Sequence, residues 1–151
     1  MDRIQPQEDI SAQPVLEASV TLPGEDFSRV ALTGDAVDLL RKLWDQHGPL
    51  MFHQSGGCCD GSAPMCYPAG DFLTGDSDVL LGRFDIGTAG DAKPLGFWMA
   101  REQFAYWSHT HITVDVVAGR GSGFSVESPE GKRFLIRSTL MDWDVPDVRQ
   151  D

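Results

Sequence analysis

Apolar residues between positions 36 and 44 recur at helical spacing. Ala36, Leu39, Leu40, Leu43 and Trp44, with Val37 beside them, make one apolar face. Asp35 is placed to cap this helix, and Asp38 falls at its third position, where a carboxylate favours the positive end of the dipole. Asp38–Lys42 and Arg41–Asp45 stand i,i+4 on the polar face. His47 sits near the negative pole, and Gly48-Pro49 stop the helix.

Beyond position 48 the period changes to that of strands. Pro49–Ser55, Val79–Ile86 and Leu95–Ala100 are short apolar runs, and Arg101–Trp107 fits a short helix or turn. Thr110–Gly119 is the clearest strand, with Ile112, Val114 and Val116 alternating with Thr113 and Asp115. Gly123–Ser128 and Arg133–Leu140 flank Ser128-Pro129-Glu130-Gly131, whose Pro and Gly suit a hairpin turn. One helix followed by short strands, with little room for crossover helices, predicts an α+β domain of compact mixed β-sheets over 27–141. Residues 1–26, with Pro6, Pro14 and Pro23, predict an extended arm with one edge strand near Val15–Leu22, and 142–151 a flexible acidic tail. No internal repeat is visible.

A length of 151 residues fits one domain with a core of its own. The 12 basic and 23 acidic residues give a net charge of −11, which opposes nucleic acid and anionic membranes as partners and suits a basic protein face. No apolar run approaches the length of about 18 residues that a spanning helix needs. The start Met-Asp-Arg-Ile-Gln-Pro has no secretory pattern, so a cytoplasmic location is expected.

All three cysteines lie between positions 58 and 66, in Ser55-Gly56-Gly57-Cys58-Cys59-Asp60-Gly61 and at Cys66. Such a cluster points to metal binding or thiol chemistry rather than a disulfide framework. Gly56, Gly57 and Gly61 allow the close backbone approach that a ligand loop needs. Three thiolates suit zinc, copper, iron or an iron–sulfur cluster, although two adjacent cysteines followed by six intervening residues match no zinc-finger spacing. His53, on the strand feeding the loop, is the first candidate for a fourth ligand or a base for Cys58 or Cys59. His111 is the second, on the face of its strand that it shares with His109 and Asp115. Reduced structural thiols, solvent-facing histidines and a hydrogen-bonded core histidine are the simpler readings of the same residues. Gly119-Arg120-Gly121-Ser122-Gly123 imitates a dinucleotide fingerprint with the wrong spacing and is read as a bend. Phe97, Trp98, Phe104, Tyr106 and Trp107 are read as core.

The run His47–Gly61 with Pro64-Met65-Cys66-Tyr67-Pro68, together with Phe97-Trp98-Met99, Tyr106-Trp107, His109-Thr110 and Asp115–Gly121, resembles a family of small bacterial proteins, domain of unknown function 779. Its members are often encoded beside aldehyde dehydrogenase genes. That resemblance implies an accessory role in aldehyde or alcohol dehydrogenase systems, with the dehydrogenase as a partner. Ser55-Gly56-Gly57-Cys58, then Gly121-Ser122-Gly123-Phe124 and Ser128-Pro129, is similar to A-type iron–sulfur carriers of the HesB-like fold. This likeness implies a HesB-like architecture and Cys58 as a cluster ligand. The carriers' Cys-Gly-Cys near the C-terminus is missing here, so Cys59, Cys66 or a histidine would have to replace it. Three expectations result: a metal- or iron–sulfur-binding accessory protein whose site a homodimer completes; a cysteine-dependent enzyme acting on small aldehydes through Cys58 or Cys59 with His53; or a chaperone of the dehydrogenase with structural thiols.

Overall fold

A computed structural model describes residues 13–55, 62–119 and 125–141. In chain order the elements are β1 (Pro14–Glu17), β2 (Val30–Thr33), α1 (Gly34–His47), β3 (Leu50–Gln54), β4 (Met65–Pro68), β5 (Asp78–Asp85), β6 (Pro94–Ala100), α2 (Arg101–Trp107), β7 (Thr110–Ala118), a 3₁₀ turn (Ser128–Glu130) and β8 (Lys132–Leu140). The expected α+β class holds, with two four-stranded mixed sheets ordered β1-β2-β7-β8 and β4-β3-β6-β5.

Two details of α1 differ from expectation. Its cap is Thr33 rather than Asp35: the Thr33 hydroxyl accepts the Ala36 N–H at 3.2 Å, and Asp35 lies inside the first turn. Its cations reach other elements. Lys42 Nζ lies 2.8 Å from Glu130, and Arg41 Nε donates to the Ile86 carbonyl at 2.7 Å. Gly48 ends the helix as expected, its N–H donating to the Trp44 carbonyl at 2.7 Å.

Crossover helices do occur, one per half. α1 carries the chain from β2 in the first sheet to β3 in the second, and α2 returns it from β6 to β7. The central pairs β2–β7 and β3–β6 are therefore parallel, and the hairpin pairs around them antiparallel. Exchanging β1-β2-α1-β3-β4 with β5-β6-α2-β7-β8 leaves both sheet orders and all strand directions unchanged. The fold has a repeat that the residues do not spell out.

The sheets bury one core between them, built on Phe52, Phe97 and Phe134 with Leu32, Leu40, Leu43, Ile112 and Met99. Phe134 meets Phe52 edge-on across the sheets, with centroids 4.9 Å apart. Of the expected core aromatics Phe97 and Trp107 are buried, whereas Tyr106 is 69% exposed. Both pairs of sheet edges are bridged. Ser19 N–H donates to the Arg83 carbonyl at 2.8 Å on one side. On the other, Val126 N–H donates to the Cys66 carbonyl at 3.0 Å and Ile136 N–H to the Ser62 carbonyl at 2.8 Å. Gly82 lets the first of these edges close, because a Cβ there would stand 2.5 Å from Ala18 Cβ. The segment expected to be a strand over 123–128 is a turn at 125–127, before the 3₁₀ turn at Ser128–Glu130. Among the described residues no helix is long and apolar enough to cross a membrane.

Candidate thiol and imidazole site

Strand pleating sorts the candidate residues. On β3, Leu50 and Phe52 face the core, and Met51 and His53 the other side. Cys66 stands opposite Phe52 in the β3–β4 register, while His53 stands opposite Met65 and Trp98. Cross-strand partners share a face, so Cys66 turns into the core and His53 away from it. Cys66 is fully buried among Phe52 and its neighbours. Burial pushes its thiol well above the ordinary cysteine value, and the charge of Glu127 adds to the rise. At neutral pH Cys66 is a protonated core thiol, neither nucleophile nor ready ligand.

His53 is held in a different chemistry. Its Nε2 lies 2.7 Å from Asp78 Oδ1, and Asp78 Oδ2 accepts the Gly75 N–H at 3.0 Å. The bond to His53, helped by Gly75 and by the charges of His53 and Arg101, outweighs burial and holds the Asp78 carboxyl below its ordinary range. An ionised Asp78 can only accept, so the proton of this bond sits on Nε2, and Nδ1 is the ring nitrogen left to take a ligand. The imidazole is tilted against Phe72 at 4.2 Å, and Phe72 stacks on Tyr67 at 5.1 Å. Arg101 Nε donates to the Asp76 carbonyl at 3.1 Å, tying α2 to the loop that presents Asp78. An open depression of about 490 Å³, lined by Ser77, Asp78, Ala100, Arg101 and Glu102, lies beside the pair.

His111 belongs to the other sheet, on the face opposite Ile112 and Val114, and its Nε2 lies 2.9 Å from Glu17 Oε1. The fold does not bring it to His53. Asp115, expected to share its face, is engaged: it accepts from the Thr33 hydroxyl at 3.0 Å, the Val116 N–H at 2.8 Å and Arg137 Nε at 2.8 Å. Cys58, Cys59, Gly56, Gly57 and Gly61 lie outside the described residues. Among the described residues no group of three or more His, Cys, Asp or Glu side chains is arranged to hold a metal.

Two acids went unnoticed in the sequence. Asp78 begins β5, 25 residues from His53, and only the sheet order brings them together. Glu127 is buried at 1% exposure and accepts a short hydrogen bond from the Ser125 hydroxyl, which itself accepts the Cys66 N–H at 2.8 Å. An acid at an expected strand end gave no sign that it points inward.

Residues 39–140, about two thirds of the chain, match the family model described as Domain of unknown function (DUF779). No curated protein and no solved structure matches the chain.

Proposed function

The chain belongs to the DUF779 family, and from that premise we propose a metal-binding accessory protein of an aldehyde or alcohol dehydrogenase system, with Cys58, Cys59 and His53 as its protein ligands. The observation that carries the reading is the His53–Asp78 pair at 2.7 Å. A metal-ligating histidine commonly donates its second ring N–H to a carboxylate, which fixes the tautomer and leaves the other nitrogen for the metal. His53 is in that state, on the strand that runs into the cysteine segment. Five positions separate His53 from Cys58, a reach of about 17 Å at full extension. Cys66 and His111 are left out of the ligand set, the first because it is a core thiol and the second because it stands on the other sheet from His53.

Two thiolates and an imidazole suit zinc, iron or copper and leave a fourth position for water or a donor from another chain. An iron–sulfur cluster calls for a fuller thiolate set. Two chains, each giving Cys58 and Cys59, supply it, so the cluster form of this proposal is a homodimer. The HesB-like architecture and a cytoplasmic location belong to the same proposal: a reducing compartment keeps such thiols available. The dehydrogenase link rests on the genomic company implied by the family resemblance, and the charge of −11 suits a basic face on the partner.

The test is metal and acid-labile sulfide per chain on untagged protein purified without oxygen. Near-stoichiometric metal is expected in the unmutated chain and in Cys66→Ser, and its loss in Cys58→Ser, Cys59→Ser and His53→Gln. A metal-free unmutated chain, or equal metal in it and Cys58→Ser, overturns the proposal. The His53–Asp78 pair also favours one rival, since a carboxylate-oriented imidazole can serve as base to a thiol nucleophile. Metal-free protein with one thiol that alkylates fast near neutral pH, slowed by His53→Gln, would move the reading to a cysteine-dependent enzyme acting on small aldehydes.

A further inference from the structure

We infer that His53, Met51 and Met65 form a soft-donor site that selects copper(I) over zinc on the outer face of the sheet β4-β3-β6-β5. The inference rests on the reading of His53 as a ligand and names the ion that this histidine takes. Its ground is the strand register. Met65 stands directly opposite His53 in the β3–β4 pairing, and Met51 precedes His53 on β3 by one full alternation. Partners across a pair share a face, and so do alternate residues along a strand. The three side chains therefore project together, away from the core. Cβ atoms of directly opposed residues such as His53 and Met65 stand about 4.5–5.5 Å apart, and a diagonal such as Met51–Met65 measures about 7–8 Å. The step along the strand from Met51 to His53 is about 6.6 Å. Flexible thioether side chains span such gaps. Met51 is only 6% exposed, yet it packs outside the core cluster that holds Met99 from the inner face of β6. Met65 is half-buried on the edge strand β4.

This donor set fits one class of cation. His53 Nε2 lies 2.7 Å from Asp78 Oδ1, so Nδ1 is the nitrogen left for a metal. Thioether sulfur is neutral and polarisable, and it belongs with the ligands that select Cu(I). Zinc takes thiolate, imidazole and carboxylate donors instead. One imidazole and two thioethers carry no charge of their own. In a buried site they suit a monovalent ion and leave a divalent one uncompensated. Asp78, behind the imidazole, supplies the single counter-charge. Trp98 walls the side of the site away from β4. It stands opposite His53 in the β3–β6 register, and its indole leans over Gly96, the partner of Met51: a Cβ at Gly96 would stand 3.1 Å from Trp98 Nε1. An aromatic ring beside a cation adds attraction without adding a donor. Leucines at 51 and 65 would fill the same space and keep the face apolar; the two sulfurs add donors where the imidazole already is.

The test loads the full chain, with selenomethionine in place of methionine, with Cu(I) under reducing, oxygen-free conditions. X-ray absorption at the copper edge should then show selenium among the atoms bound to copper. The same chain loaded with Zn(II) should show none at the zinc edge. Affinities follow from competition against chelators of each ion. Removing even an outer partner of a bound metal costs about 10–100-fold in affinity. Met65→Leu removes a ligand at nearly constant volume, so it should weaken Cu(I) binding by no less and leave Zn(II) binding unchanged. Copper without selenium neighbours, or Cu(I) affinity unaltered by Met65→Leu, overturns the soft-donor site. If zinc is still bound then, and is lost in His53→Gln, the proposed function stands and only the two methionines and the choice of copper fall. A chain that binds neither ion loses both readings.

Discussion

The two halves of this chain share one wiring and differ in what is hung on it. In each, a helix leaves the end of one central strand and crosses to the other sheet. α1 starts at Thr33 and α2 at Ala100. The residues just before them, Leu32 and Met99, pair with Val114 and Gln54 in the parallel registers. The next residues along β7 and β3 are Asp115 and Ser55, which makes them equivalent. Asp115 locks its helix: it accepts from Thr33, the cap of α1, and from Arg137. Ser55 holds the matching place before α2, whose Ala100 makes no side-chain cap bond. α1 runs 14 residues and α2 only 7. One crossover helix is long and capped, and its counterpart is short and has no side-chain cap.

The comparison assumes that the halves melt together, and the aromatic contact across the sheets tests that first. Phe134 packs edge-on against Phe52 and is fully buried. Phe134→Ala should cost about 3–5 kcal/mol, seen as a lower denaturation midpoint. Near- and far-ultraviolet circular dichroism should still report one transition. Two separate transitions would show that the halves are independent units and that their shared topology is no guide to shared stability.

A smaller effect sharpens the contrast between the helices. Thr33→Ala removes the cap of α1 and leaves Asp115 without one of its three donors. The expected loss is about 1–2 kcal/mol, with faster amide exchange in the first turn of α1 towards the rate of α2. If α1 is no better protected than α2 before the change, the locked and unlocked description is wrong.

How much of this could be read from the residues depends on how local each signal is. The apolar face of α1 and the alternation along β7 are local, and both elements appear within a residue or two of expectation. β2 was missed because Val-Ala-Leu-Thr is buried on both faces and shows no alternation. β4 was missed because Met-Cys-Tyr-Pro is four residues long and ends in proline. The internal repeat lies in connectivity alone, between helices of different length, so no residue pattern carries it. The site divides in the same way. His53 was visible from its place before the cysteines. Asp78 was not, because its role follows from the order β3-β6-β5. Cys66 looked like a companion of Cys58 and Cys59 because it is near them in sequence, and one alternation of a strand turned it inward.

The smallest effect concerns the carboxylate on the open side of the molecule. His53 holds the Asp78 carboxyl below its ordinary value of 3.8, with burial opposing and the Gly75 N–H, His53 and Arg101 helping. A lowered acid contributes stability that is present above its unfolded value and is lost as pH falls through its folded one. Asp78→Asn should therefore leave a shallower decline of stability below about pH 4 than the unmutated chain shows. Near neutral pH the variant should also be less stable, because asparagine offers one acceptor oxygen where the carboxylate serves both His53 and the Gly75 N–H. Denaturation midpoints at closely spaced acid pH values read this directly. Parallel acid limbs would mean that Asp78 does not hold His53 through charge.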